Sequence, residues 1–446
     1  MRLLTSTRSA AVSLFIVASA LIYGLSMLLC ASPVEAAYFA AVPIFLAHAL
    51  LLRRHVVTGL SRRHAIYFAI YVVLLLALVA AYQAAFVYVT PSAAARWQDM
   101  AAAAYFVAAI HIIIWSLDRA CRTVMRRLMG ISGLVTAARW RRACVLAARV
   151  AVVLLIAAPL ATAALTTHWI RFADSTDPQA LCGANFARAG FYTDDGIVVR
   201  GWYMPADDAS SNAAVIVVPG RGMGKATLIP YARMLGEQGF NVLLMDLRGE
   251  GASEGYSRGF GVVESRDVLA ALRYLKQAHP RHSTHVLAVG ISQGAAAVLA
   301  AAKADTRIEA LAVDSLYPSP RAELDSILAW LPGPARRYVC GATLAMASLQ
   351  AGDNLLDESA ATDMAAMAGR ALLMIHSDQD ANVPIAQART LYASANHPAM
   401  FWKVSGAAHG DAVYARPGEH AAVVCKTFKS VRAGLDPFGW AGRIGG

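Results

Sequence analysis

The chain of 446 residues is 57% hydrophobic with a mean hydropathy of +0.47, which is too apolar for an ordinary soluble enzyme and long enough for two or three domains. Its formal net charge of +11 sits at one end: residues 1–170 hold 15 Arg, no Lys and 3 acidic residues, whereas the remainder holds 25 basic and 26 acidic residues. Basicity confined to the apolar part, with no basic patch of interleaved aromatics, excludes a phosphate-binding face and with it a nucleic-acid partner.

Five apolar stretches, at 10–31, 34–52, 65–89, 98–117 and 150–170, approach the ~20 residues that cross a bilayer as helix. Segments such as YVVLLLALVAAY (71–82) and VAVVLLIAAPLATAAL (150–165) are apolar all round, where a helix of a soluble bundle would carry a polar face. Residues 1–170 are therefore expected to be an all-α membrane domain of about five transmembrane helices, with the lipid bilayer as partner. Arg2 and Arg8 precede the first stretch; Arg53, Arg54, Arg62 and Arg63 lie between the second and third; Arg119, Arg122, Arg126, Arg127, Arg139, Arg141 and Arg142 lie between the fourth and fifth. The other two connections hold only Arg96. Basic loops stay cytoplasmic, so the N-terminus is expected inside and everything after about residue 171 outside. The first stretch also reads as a signal peptide with a small-residue site at Val34-Glu35-Ala36, and its removal would leave four spans and the same final side. The basic, partly amphipathic segment 119–149 is expected along the inner membrane surface, and His48, His111, Cys30, Cys121 and Cys144 as packing residues. The Lys-poor, Ala- and Arg-rich composition is that of a GC-rich bacterial genome, which would make the location the inner membrane with the C-terminal domain in the periplasm.

Beyond a linker at 171–190, residues 191–440 change texture. Short β-branched runs recur at 196–204, 214–220, 242–248, 286–292, 310–315, 371–378 and 400–406, separated by helical patterns at 231–238, 264–277, 384–395 and 418–431. Continuous apolar strands alternating with helices predict a mostly parallel sheet covered on both faces, an α/β fold. The one long connection, 316–370, contains SILAWLPGPARRYVCGATLAMASL and is expected to be a helical lid.

VLAVGISQGAAA (286–297) places Gly290-Ile291-Ser292-Gln293-Gly294 between a buried strand and an Ala-rich helix. The G-x-S-x-G pattern alone is weak, as GISG at 130–133 shows; its context here is that of a nucleophile lifted out of the sheet. A serine hydroxyl needs a base held by a third group, and on this scaffold the chain order is Ser, acid, His. Asp380, just after a strand end in LLMIHSDQDANVP, is the expected acid, with Asp378 as the alternative. His409, in VSGAAHGD after the last strand, is the expected base. His376 lies within its strand and reads as a core or loop histidine, while His397 and Asp411 read as solvated.

The amide of Gln293 heads a helix and suits a developing oxyanion, and a second amide is expected from the loop VVPGRGMGK, from Arg221 with Gly222 second. That loop is no P-loop: Pro219 and Ala226 stand where such a loop needs Gly and Ser or Thr. Metal spacing is absent, and no cofactor is expected. Cys182, Cys340 and Cys425 allow at most one disulfide, with Cys182–Cys340 the expected pair.

DDGIVVRGWYMP (194–205), VVPGRG (217–222), MDLRGEGASEG (245–255), VGISQGA (289–295), IHSDQDANVP (375–384) and GAAHGD (406–411) together resemble the α/β-hydrolase superfamily, most closely its esterase- and lipase-like, serine aminopeptidase-like or Bem46-like branch. The resemblance spans about 190–425 and implies that nucleophile, acid and base fall on Ser292, Asp380 and His409. It departs at Pro219-Gly220, where such proteins usually have His-Gly. It implies a serine hydrolase acting on an ester, thioester or amide of a small-molecule or lipid-like acyl substrate. A serine peptidase of the same fold, or a non-catalytic binding or sensing module on a membrane domain, are the competing expectations.

Overall fold

A computed structural model describes residues 176–438, apart from 256, 257, 368 and 396–398, together with the helical positions Pro159 and Thr162. The expected membrane spans, the signal-peptide alternative and His397 otherwise lie outside the described residues. Among the described residues no helix is long and apolar enough to cross a membrane.

The strands β3 (Ala213–Val218), β4 (Asn241–Met245), β5 (His285–Ile291), β6 (Ile308–Asp314), β7 (Ala371–Ser377) and β8 (Ala399–Val404) run parallel. β1 (Ala187–Tyr192) and β2 (Val198–Met204) form an antiparallel hairpin whose second strand pairs with β4, giving one sheet in the order β1-β2-β4-β3-β5-β6-β7-β8. β3 and β4 are buried at every position, as strands covered on both faces must be. The two-residue side-chain period splits β3 cleanly. Ala214, Ile216 and Val218 face a core shared with α3 (Ser265–Ala278), α4 (Gln293–Ala304) and α7 (Ala360–Ala365). Ala213, Val215 and Val217 face the opposite core, shared with α2 (Ile229–Glu237) and α10 (Pro417–Arg432). This is the architecture that the α/β-hydrolase resemblance implies, and the domain has the α/β-hydrolase fold.

The sheet begins earlier than residue 191. The stretch expected as linker carries α1 (Pro178–Cys182), capped by Asp177, and most of β1. The long insertion between β6 and β7 holds α5 (Pro320–Ile327), α6 (Gly333–Ala351) and α7 over a third core that includes Phe260, Tyr317, Leu324, Leu344 and Val383. The expected Cys182–Cys340 disulfide is not formed: Cys182 is exposed on α1, where its thiol bonds the Pro178 carbonyl, and Cys340 is buried on the inner face of α6 beside Asp325. α8 (Ile385–Ala393) and α9 (Ala412–Ala415) complete the described helices.

Candidate active site

Ser292 stands between β5 and α4 with φ 53° and ψ −115°, a left-handed conformation that a non-glycine residue adopts only at a cost. The flanking glycines make room for it. A Cβ on Gly290 would overlap the Gly294 backbone, and one on Gly294 would lie 2.5 Å from the carbonyl oxygens of Val218 and Pro219. The Ser292 amide donates to the Asp314 carbonyl at 2.7 Å, which ties the turn to the end of β6.

The structure brings the expected acid and base to this serine. Ser292 Oγ lies 2.7 Å from His409 Nε2, and His409 Nδ1 lies 2.7 Å from Asp380 Oδ2. A carboxylate facing Nδ1 holds the proton there and leaves Nε2 as the acceptor. Asp380 is buried, and its Oδ1 accepts from the amides of Asn382 and Val383 at 2.9 and 2.7 Å. Burial pushes the Asp380 carboxyl up, but the bonds from His409 and Val383 outweigh it and leave the group below the usual carboxylate range. Burial likewise pushes His409 down, but Asp380, and more weakly Glu323 and Asp314, raise it above its ordinary value.

Asp378 is not engaged by the histidine. It accepts from the Gly406 amide and pairs with Lys403. His376 is buried in β7, its Nε2 2.8 Å from the Val383 carbonyl and 3.6 Å from Asp380, so it props the loop that carries the acid. Asp411 is exposed.

The two expected oxyanion donors flank the serine. Gln293 opens α4, so its amide has no acceptor within the helix. Gly220 reaches so close that a Cβ there would sit 3.4 Å from Ser292 Cβ, which sets Arg221 against the turn. Of the two candidates in this loop, Gly222 is already used: its amide donates to Glu250 Oε1 at 2.8 Å. The two donor residues are also joined through their side chains. Arg221 Nε donates to Gln293 Oε1 at 3.0 Å, and Gln293 Nε2 donates to Glu264 Oε1 at 2.9 Å. The Arg221 guanidinium lies 5.1 Å over the Phe260 ring and 3.7 Å from Glu323 Oε1 on α5.

Four residues of this surrounding shell escape sequence reasoning. Glu264 bonds the amides of Gly259 and Gly261 besides Gln293. Glu250, pushed up to about 7 mainly by burial, holds Gly222 and pairs with the buried Arg258. Ser315, itself left-handed at φ 57°, accepts from the Gly410 amide at 2.9 Å and so anchors the loop of His409. Glu323 is buried; burial raises its carboxyl despite Arg221 and His409, and its Oε2 has no hydrogen-bond partner among the described residues. None of the four lies at a spacing that marks it; each acquires its role from tertiary contacts. Among the described residues no group of His, Cys, Asp and Glu is placed to hold a metal ion.

Residues 209–326 match the model of a family described as serine aminopeptidase, S33. That stretch carries Arg221, Ser292 and Gln293 and stops short of Asp380 and His409. The chain is similar to Uncharacterized protein YfhR of Escherichia coli O157:H7, 26% identical over 236 residues, which are 51% of this chain and 75% of the relative. It is also similar to polyketide transferase grgF of Penicillium sp, 33% identical over 133 residues, 29% of this chain and 45% of that one. Among solved structures it is similar to the esterase Pf2001 of Pyrococcus furiosus, with a TM-score of 0.49 and 20% identity, covering 58% of this chain and 95% of that chain.

Proposed function

We propose that the chain is a membrane-anchored serine hydrolase that cleaves an ester, thioester or amide through an acyl-enzyme, carboxylic esters being the preferred class. The observation that carries this is the continuous line from Ser292 Oγ through both nitrogens of His409 to Asp380, each contact 2.7 Å. Ser292 Oγ attacks the carbonyl carbon while its proton passes to His409 Nε2. Asp380 fixes the ring and stabilises its charged form. The amides of Gln293 and Arg221 hold the oxyanion. The leaving group departs with the proton from His409, and water, deprotonated by the same nitrogen, releases the acid. The hydrolase fold and the matched family support this chemistry. The arginine asymmetry of residues 1–170 supports a multi-span inner-membrane anchor with this domain on the periplasmic side.

The test is labelling by a fluorophosphonate probe in isolated membranes, wild type beside Ser292→Ala. Labelling of the wild type alone is expected. A folded wild type that resists the probe would retire the hydrolase in favour of a binding or sensing module.

One observation favours a serine peptidase instead. Glu323, a buried carboxylate on the lid, pairs loosely with Arg221, and its Oε2 has no hydrogen-bond partner among the described residues. Such a group suits the free amine of a peptide substrate. If so, an aminoacyl anilide with a free amine is cleaved faster than its N-acylated counterpart and faster than simple acyl esters, and Glu323→Gln abolishes the preference.

A further inference from the structure

The lid carries an outward apolar face that the described domain does not cover. α6 turns Val339, Cys340, Leu344 and Ala347 into the third core. Its opposite stripe, Tyr338, Ala342, Ala345 and Leu349, follows the i, i+4, i+7, i+11 spacing of one helical face and is half-buried or exposed, Leu349 at 81%. A surface helix in water carries polar residues on that stripe, yet α6 has no charged side chain after Arg337. The aliphatic hydroxyls of Thr343 and Ser348 are satisfied by carbonyls: Ser348 Oγ donates to Leu344, and the fully buried Thr343 Oγ1 donates to Pro159, a residue of the last apolar stretch. The turn leading into α6 exposes Ile327 and Trp330, the latter at 77%, beside the exposed Arg321 and Arg337. Apolar stripe, exposed tryptophan and flanking arginines are the parts of an interfacial helix: acyl chains take the stripe, and tryptophan and arginine meet the headgroups.

We infer that this face of the lid docks on an anionic lipid surface, with α6 lying in the interface and the Ile327–Trp330 turn entering beside it. The positive charge of Arg321 and Arg337 complements anionic headgroups, and Thr343 bonds Pro159, a residue whose sequence neighbours are apolar enough to belong in lipid. Docking stands on the lid's own residues and holds whether or not residues 1–170 span the bilayer. α5 carries Glu323 to Arg221 at one end and Ile327 to this face at the other, so the helix that brings Glu323 to the site would be held by the membrane.

The full chain is reconstituted into vesicles of phosphatidylcholine and phosphatidylglycerol with brominated acyl chains. Emission of Trp330, one of eight tryptophans, is taken as the difference between wild type and Trp330→Phe. Leu349→Trp in the Trp330→Phe background reports the far end of the stripe. Both emissions are expected to lose most of their intensity to the brominated lipid and little to aqueous iodide. Quenching by iodide at either position overturns docking in favour of an open aqueous surface. Shielding from both quenchers overturns it in favour of protein, such as a second copy. Alkaline extraction of the same vesicles reports the spans separately. A chain that resists extraction while iodide reaches Trp330 keeps the anchor and loses the lid contact; one that washes off after lipid quenching does the reverse.

Discussion

Arg221 serves the site twice. In the proposed mechanism its main chain lends an amide to the oxyanion, and its guanidinium is bonded to Gln293, the residue proposed to lend the other. Replacing the side chain leaves both amides in the chain but frees their relative position. Arg221→Met is therefore expected to lower kcat about tenfold with little change in KM, less than the loss of a donor itself would cost; steady-state kinetics on an ester found by screening will show the split. In the proposed mechanism His409 sets the pH dependence. It must be neutral to accept the serine proton, and its neighbours raise it above the ordinary 6.5, so kcat/KM is expected to fall on the acid side with a midpoint above that value. Glu323 contributes to that rise. Glu323→Gln removes a carboxylate that favours the protonated ring and should move the acid limb to lower pH, which a pH–rate profile resolves.

The elbow depends on two backbones in contact. Because a Cβ on Gly294 would crowd the carbonyls of Val218 and Pro219, Gly294→Ala should destabilise the domain by about 1–3 kcal/mol, read as a lowered Tm. That close approach is also why the turn was legible in the sequence: glycine, serine and glycine are the residues the geometry tolerates. β3 to β7 were legible for a related reason, since strands covered on both faces are largely apolar, and their ends fall within a few residues of the expected ones. β1 was not. ARAGFY is an edge strand with alternating exposure, and Ala, Arg and Gly there carry no strand signal. The residues that steady the site were hidden too. The choice between Arg221 and Gly222 turns on Glu250, which lies 28 residues from Gly222 and reaches it only in the folded chain.

At the scale of the whole molecule, charge divides the chain more sharply than composition does. If the basic loops of residues 1–170 remain in the cytoplasm, alkaline phosphatase fused after residue 438 should be active in intact cells, and a fusion at residue 58, between the second and third apolar stretches, should not. An active fusion at 58 would reverse the topology and place Ser292 in the cytoplasm. The described domain itself needs both faces of its sheet covered, and the two cores draw on helices from opposite ends of the fold: α2 and α10 on one side, α3, α4 and α7 on the other. The same interleaving governs when the site exists at all. His409 follows Ser292 by 117 residues, with the lid, β7 and β8 between them. A chain that is synthesised from its N-terminus presents the serine well before the base. Until β7 and β8 have joined the sheet, the hydroxyl has no base beside it, so a half-made chain carries a serine that is still an ordinary alcohol.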